Sequence, residues 1–195
     1  MAEPFEKIAE EATRQIDQRN YDSAIQILKK AWADWQHEAE YWTLLGQAYL
    51  SGGRVPEAEE AYARSHTISP GFGSQFNLAE CAFVRGDHLL ATGGFRKALG
   101  LMPEDPSYRS IAAFKVIVSE ALCGEAEQAA GELEPELTPA GRLYLEIFKR
   151  LIASESASAL ALLKLPEAMD GECAPYLDTL LTAELISIQP PATAP

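Results

Sequence analysis

The sequence is poor in the residue types that metal sites and catalytic sites use most. Its 195 residues include only three histidines and three cysteines. His37, His66 and His88 lie far apart, and none is four residues from another histidine or a cysteine. Zinc sites and nucleophile–base pairs need such side chains in close groups. We therefore expect no metal, no cofactor and no enzymatic activity.

The cysteine spacing, the first residues and the lengths of the apolar runs indicate the cellular compartment of the protein. Cys81, Cys123 and Cys173 are odd in number and widely spaced, which favours a reducing compartment over a disulfide framework. The first residues, MAEPFEKIAEE, are acidic and lack the apolar core of a secretory signal. The apolar runs are too short to span a bilayer. We expect a cytoplasmic protein without membrane insertion.

Basic residues are scarce relative to acidic ones. The chain has 16 lysines and arginines against 29 acidic residues, a net charge of −13. This charge opposes binding to nucleic-acid phosphates and to anionic lipid. Residues 120–136 hold six glutamates and no basic residue. This segment is either a solvated face or a docking surface for a basic partner.

The segment from Tyr41 to Pro70 carries the clearest helical pattern. Trp42, Leu45, Ala48 and Tyr49 form an apolar stripe on one helix face. Gly46 within this helix leaves room for close approach of a second helix. The Gly52-Gly53 pair ends the first helix, and Pro56 suits the first turn of the next. The segment is predicted to be a pair of antiparallel helices.

Equivalent features recur along the chain, as expected because one helix pair cannot bury its apolar face alone. Turn residues recur at spacings of 33, 33 and 38, and small residues of the second helix at 34, 33 and 38. A larger apolar residue follows each small residue by four positions. The three series are Asn20, Gly53, Gly86 and Gly124; Ala24, Ala58, Ala91 and Ala129; and Leu28, Tyr62, Phe95 and Leu133.

The Tyr41–Pro70 segment also resembles a known repeat. It fits the tetratricopeptide pattern W-x2-L-G-x2-Y…A-x3-F…P, with tyrosine in place of phenylalanine. The matching residues are Trp42, Leu45, Gly46, Tyr49, Ala58, Tyr62 and Pro70. The resemblance implies an all-α fold, a right-handed superhelical solenoid of stacked αα-hairpins. It also implies that the protein binds other proteins rather than catalysing a reaction.

The markers predict about four to five repeats and a capping helix in a single solenoid over residues 4–188. The predicted repeats are 5–38, 39–72, 73–105, 107–136 and 139–165, followed by a cap at 173–188 and a mobile tail at 189–195. Trp32 and Trp35 are predicted to pack where the first two repeats meet, or to form an exposed aromatic patch. Gly93-Gly94 indicates either a bend or a close helix contact in the third repeat. Ile111–Leu122 is apolar nearly all round, which predicts a buried helix.

In the tetratricopeptide family, the first helices of successive hairpins line a concave groove that holds a segment of another protein. The resemblance therefore implies a set of groove residues on the first helices of four repeats. They are Ala9, Thr13, Ile16, Thr43, Gln47, Leu50, Asn77, Cys81, Val84, Phe114 and Val118.

Three hypotheses of function follow from this resemblance. The first is a non-catalytic scaffold or adaptor that binds a basic or amphipathic peptide segment in the groove. The second is a cytosolic chaperone that masks an apolar segment of its client, since the acidic solenoid and the segment FNLAECAFVRGD resemble chaperones of type III secretion translocators. The third is self-association through an uncapped end of the solenoid.

Overall fold

A computed structural model of the protein describes residues 4–101, 105–124, 126–153, 159, 163 and 174–182. These residues form α-helices and one short 3₁₀ turn, and no strand occurs among them. The helices are α1 (Phe5–Asp17), α2 (Tyr21–Trp35), α3 (Ala39–Ser51), α4 (Val55–Ile68), α5 (Phe72–Val84), α6 (His88–Leu101), α7 (Pro106–Leu122), α8 (Ala126–Leu133), α9 (Pro139–Ile152) and α10 (Ala174–Thr182). The 3₁₀ turn is Glu134–Glu136.

The chain divides into two compact units, Met1–Leu101 and Met102–Pro195. In the N-terminal unit, α1 pairs with α2, α3 with α4 and α5 with α6, and α2 and α4 each pack against the helix that follows. Helices α1 and α3 also touch. Three stacked helix pairs are therefore present where the first three repeats are predicted.

Small residues at the pair contacts let the helices of the N-terminal unit approach closely. Ala24, Ala58 and Ala91, predicted to be equivalent, are all fully buried. Gly46 of α3 faces Tyr62 of α4: a Cβ atom placed on Gly46 would lie 2.6 Å from the tyrosine ring. Gly46 is thus a site of close helix contact, as the sequence predicts.

The turns within the helix pairs use a left-handed residue, but one position differs from the sequence-based expectation. Gly53, Gly86 and Gly124 have φ of 73°, 84° and 92°. In the first pair the positive φ of 61° belongs to Arg19, whereas Asn20 has φ of −89°. The assignment of Asn20 to this turn position was wrong by one residue, and Arg19 is equivalent to Gly53.

The two tryptophans at the end of α2 differ in environment. Trp35 packs against Phe5 of α1, with ring centroids 5.3 Å apart. Trp32 is 48% exposed. Trp42 of α3 is buried, and its indole N–H donates to the Gln36 carbonyl at 2.7 Å. Trp35 therefore serves packing, while Trp32 keeps much of its surface accessible.

The C-terminal unit is built around α7, which packs against α8, α9 and α10. Every residue of α7 from Ala112 to Glu120 is buried, which confirms the prediction of a helix surrounded by neighbours. The Tyr176 hydroxyl of α10 lies 2.6 Å from the Ser110 hydroxyl of α7. The Ser110 hydroxyl also accepts a hydrogen bond from the Thr138 N–H at 2.9 Å, at the start of α9.

Several predicted elements lie largely outside the described residues. Of the second helix predicted for the fifth repeat, only Ala159 and Leu163 are described, and both are helical. The predicted cap corresponds to α10 over residues 174–182, and its remaining residues and the predicted tail fall outside the description. A single solenoid with the stated repeat bounds stays a prediction.

Candidate peptide-binding surface

Seven of the predicted groove residues are at least partly exposed, and all seven belong to the N-terminal unit. They come from the first helix of each pair, so α1, α3 and α5 supply them. We call this set the first-helix surface: Ala9, Thr13, Thr43, Gln47, Leu50, Asn77 and Val84. Thr13 and Gln47 are exposed, and Val84 is 40% exposed.

Four predicted groove residues are buried in the helix packing. Ile16 is 8% exposed, and Cys81, Phe114 and Val118 are completely inaccessible. Ile16 and Cys81 belong to the apolar core of the N-terminal unit, and Phe114 and Val118 belong to the buried stretch of α7. None of the four can touch a peptide on this surface, so their assignment to an open groove is corrected.

The polar side chains of the first-helix surface differ in how far they are already satisfied. The Thr43 hydroxyl donates to the Ala39 carbonyl at 3.0 Å and lies 2.8 Å from the Ser65 hydroxyl of α4. Thr43 therefore stabilises the contact between α3 and α4. Gln47 and Asn77, by contrast, have no side-chain hydrogen bond within the described part of the chain. Their amides can each donate and accept.

The helices that carry this surface are short of positive charge. Helix α3 contains Glu40 and helix α5 contains Glu80 as their single charged residues. On α1, Arg14 is engaged by Glu11 one turn earlier. The three helices together carry more acidic than basic residues, which disfavours an acidic ligand relative to a neutral or basic one.

Cys81 shows how burial changes the chemistry of a predicted surface residue. Burial raises the pKa of its thiol to about 12, and the nearby Glu59 and Glu80 carboxylates add to the shift. Alkylating reagents react with the thiolate, which is almost absent at neutral pH under these conditions. Cys81 is therefore a packing residue and not a nucleophile.

This environment predicts unequal labelling of the cysteines. In native protein at pH 8, Cys81 should resist iodoacetamide while the exposed Cys123 is modified, and both should react after denaturation. Peptide mass mapping after timed quenching measures each site separately. Rapid native labelling of Cys81 at the rate of Cys123 would contradict its burial.

Other kinds of site find little support in the described residues. Within them, no group of three or more histidine, cysteine, aspartate or glutamate side chains could hold a metal ion. No described helix is both long and apolar enough to cross a bilayer.

The stacked antiparallel helix pairs define a helical-repeat protein. Residues 10–71 match the family model described as Tetratricopeptide repeat, so the resemblance is confirmed for the segment from α1 to the start of α5. No curated protein matches the sequence.

Two solved structures resemble the chain in fold. The crystal structure of MamA has a TM-score of 0.60 and 17% identity, over 90% of this chain and 97% of MamA. The Yersinia enterocolitica type III secretion chaperone SycD, solved in complex with a peptide of the translocator YopD, has a TM-score of 0.51 and 17% identity. That likeness covers 66% of this chain and 93% of SycD. These likenesses and the helix pairs establish an all-α helical-repeat fold.

Proposed function

We propose that this protein is a non-catalytic scaffold or adaptor that binds a peptide segment of another protein on the first-helix surface. The observation that carries the proposal is that Gln47 on α3 and Asn77 on α5 are accessible amides without a hydrogen bond in the described chain, on the same helices as the accessible aliphatic residues Leu50 and Val84. A peptide main chain needs donors and acceptors together, and aliphatic contacts hold its side chains. An amide among aliphatic groups meets both needs.

The charges on α3 and α5 limit which peptides can bind the first-helix surface. An acidic segment would meet Glu40 on α3, and neither α3 nor α5 carries a lysine or arginine of its own to attract it. Like-charge contacts disfavour wrong partners. A neutral or basic segment, with aliphatic residues for Leu50 and Val84, therefore fits this surface best.

The structural likeness to SycD supports the proposal that this protein binds a peptide. SycD is a chaperone that was solved with a translocator peptide bound. At 17% identity the likeness concerns the fold, so the identity of that peptide says nothing of the partner here. The specificity argument consequently depends on the residues of this chain.

A pair of charge-adding variants tests the proposal. A photo-crosslinking residue at position 47 or 84 would first identify the bound segment, which is then made as a synthetic peptide. Gln47→Arg with Val84→Arg should weaken binding of that peptide about tenfold or more, because two cations then face a neutral or basic segment. Isothermal titration calorimetry measures the change.

The matched control adds the same two charges elsewhere in the N-terminal unit. Gln26→Arg on α2 and Ala63→Arg on α4 change exposed residues of second helices, and their affinity should equal that of the unaltered protein. The proposal fails if the crosslinked segment binds the Gln47→Arg, Val84→Arg variant as tightly as the control.

A chaperone for an apolar client segment is the second candidate, and the likeness to the chaperone SycD favours it. Both functions use the same surface, so co-expression separates them. A client of a chaperone should be soluble only when this protein is co-expressed, whereas the partner of an adaptor should be soluble alone. Solubility of the crosslinked partner with and without this protein decides between the two.

A further inference from the structure

Helix α10 lies on α7 and α9, the first helices of the fourth and fifth predicted repeats. It packs against both of them. A cap that covers only the end of a solenoid would pack on its last helices, whereas α10 also reaches the first helix of the repeat before. Its position is therefore that of a segment lying across first helices.

The face of α7 under α10 corresponds to the first-helix surface of the N-terminal unit. Phe114 lies ten residues before the turn residue Gly124, as Thr43 lies ten residues before Gly53. Thr43 is partly exposed. Phe114 is completely buried, and its ring centroid lies 5.3 Å from that of Tyr176 on α10. The C-terminal unit thus holds a helix of its own over the position that is accessible in the N-terminal unit.

The contacts of α10 centre on one tyrosine. The buried residues of this helix are Tyr176, Thr179 and Leu180. The Tyr176 ring stacks on that of Tyr144 in α9, with centroids 5.7 Å apart and an interplanar angle of 28°. Its hydroxyl lies 2.6 Å from the Ser110 hydroxyl of α7. Tyr176 therefore anchors α10 to both helices, and Leu180 adds a second anchor four residues later.

The contacts between α7 and α9 do not depend on α10. Phe114 meets Tyr144 and Phe148 of α9 at centroid distances of 6.5 and 6.4 Å. The Ser110 hydroxyl accepts a hydrogen bond from the Thr138 N–H at 2.9 Å. If α10 left, Ser110 would keep this partner, so its hydroxyl would not be buried without a hydrogen bond. The face under α10 is therefore formed by α7 and α9 themselves.

The length of α10 favours exchange between a docked and a detached state. The helix has nine residues, and isolated helices shorter than about 12–15 residues are marginal in water. Helix α10 is thus stable only while it is docked on α7 and α9. Because few buried side chains hold it, its detachment should cost less free energy than unfolding of the whole unit.

We propose that α10 is an exchangeable internal ligand, which closes a helix-binding face of α7 and α9 until a helix of a partner protein displaces it. The partner helix would repeat the pattern of Tyr176 and Leu180, a tyrosine whose hydroxyl reaches Ser110 and a leucine four residues later. Helices that dock through anchors at i and i+4 are a common recognition mode. The inference rests on the proposed function only in treating this part of a first helix as a binding surface.

The test supplies α10 as a separate peptide. A fluorescently labelled peptide with the sequence Ala174–Thr182 and capped ends is titrated with the full chain, and anisotropy measures its affinity. The unaltered protein should bind it weakly, because the tethered α10 competes at a high effective concentration. Tyr176→Ala in the full chain weakens the internal helix, so this variant should bind the peptide about tenfold or more tightly than the unaltered protein.

The matched control changes a residue of α10 that faces solvent. Asp178 is exposed. In the full chain, Asp178→Asn should leave peptide binding as weak as in the unaltered protein. In the peptide, Asp178→Asn should leave binding to the Tyr176→Ala chain unchanged, whereas Tyr176→Ala in the peptide should weaken it about tenfold or more.

A second control separates this inference from the proposed function. Gln47→Arg with Val84→Arg changes the first-helix surface in the N-terminal unit. Added to the Tyr176→Ala chain, these changes should leave binding of the α10 peptide unchanged. Loss of the crosslinked partner without loss of the α10 peptide would show that the two sites are separate.

Hydrogen exchange distinguishes detachment of α10 from unfolding of the unit. In the Tyr176→Ala variant, the amides of α10 should lose protection about tenfold or more, while those of α7 and α9 keep the protection of the unaltered protein. Equal loss in all three helices would show that α10 is an inseparable part of the core, and the inference would be wrong.

Three binding results would also overturn the inference. The first is no binding of the peptide to the Tyr176→Ala chain, and the second is equal binding to this variant and to the unaltered protein. The third is a dimer of the unaltered protein in light scattering that Tyr176→Ala abolishes, which would assign the face to α10 of a second copy.

Discussion

Replacing Phe114 with alanine is expected to lower the free energy of unfolding of the C-terminal unit by about 3–5 kcal/mol. Phe114 is completely buried, and its ring meets Tyr144, Phe148 and Tyr176 at centroid distances of 6.5, 6.4 and 5.3 Å. Removal of the ring leaves a cavity that three further aromatic rings cannot fill without moving. Packing, rather than ligand contact, is therefore the role of Phe114.

Two probes make the Phe114→Ala measurement specific to its unit. All three tryptophans, Trp32, Trp35 and Trp42, lie in the N-terminal unit, so their fluorescence during urea unfolding reports that unit. Hydrogen exchange of α7, α9 and α10 reports the C-terminal unit, where protection should fall steeply. Ile152→Ala, at a position 48% exposed, should cost less than about 1 kcal/mol. If Phe114→Ala lowered the free energy of unfolding as little as Ile152→Ala does, the burial of Phe114 in the core would be contradicted.

The sequence predicts the helix pairs well because the residues that specify them act locally. Two helices pack closely only when three features occur together. These are a small residue in the second helix, an aromatic or aliphatic residue four positions later, and a turn between the helices. Arg19 shows the limit of this reasoning. The alanine series has spacings of 34, 33 and 38, and the same spacing applied to the turns favours Arg19 over Asn20. The tolerance of asparagine for the left-handed region favours Asn20, but the spacing is the better guide here.

The surface is harder to predict because an error of one residue in the repeat spacing turns a side chain about 100° around its helix. The groove residues on α5 are expected 34 residues after those on α3, whereas the turn glycines Gly53 and Gly86 are 33 residues apart. At a spacing of 33, Cys81 corresponds to Ala48, and both residues are fully buried.

Two expectations for α7 conflict. A helix that is apolar on all sides should be buried, whereas Phe114 and Val118 would have to be exposed to line a groove. The structure shows both residues fully buried. The exposure of Leu89 and Leu90 is visible in the structure, and no sequence pattern indicates it.

Gly46→Ala should destabilise the N-terminal unit although alanine is the better helix former. The new methyl group would lie 2.6 Å from the Tyr62 ring, and Tyr62 is only 3% exposed, so its ring has little room to move. Overpacking of this kind costs about 1–3 kcal/mol, against a gain of about 1 kcal/mol from helix propensity. Tryptophan fluorescence during urea unfolding measures the balance, because Trp42 lies on the same helix.

Gly93→Ala is the matched control for Gly46→Ala, since it makes the same chemical change where the new Cβ meets no atom within 4 Å. It should raise the stability by up to about 1 kcal/mol, opposite in sign to Gly46→Ala. A cycle with Tyr62→Leu isolates the clash: Gly46→Ala should cost less in the leucine background than beside the tyrosine ring. If Gly46→Ala stabilised the protein as much as Gly93→Ala does, close contact with Tyr62 would not be the reason that α3 carries a glycine.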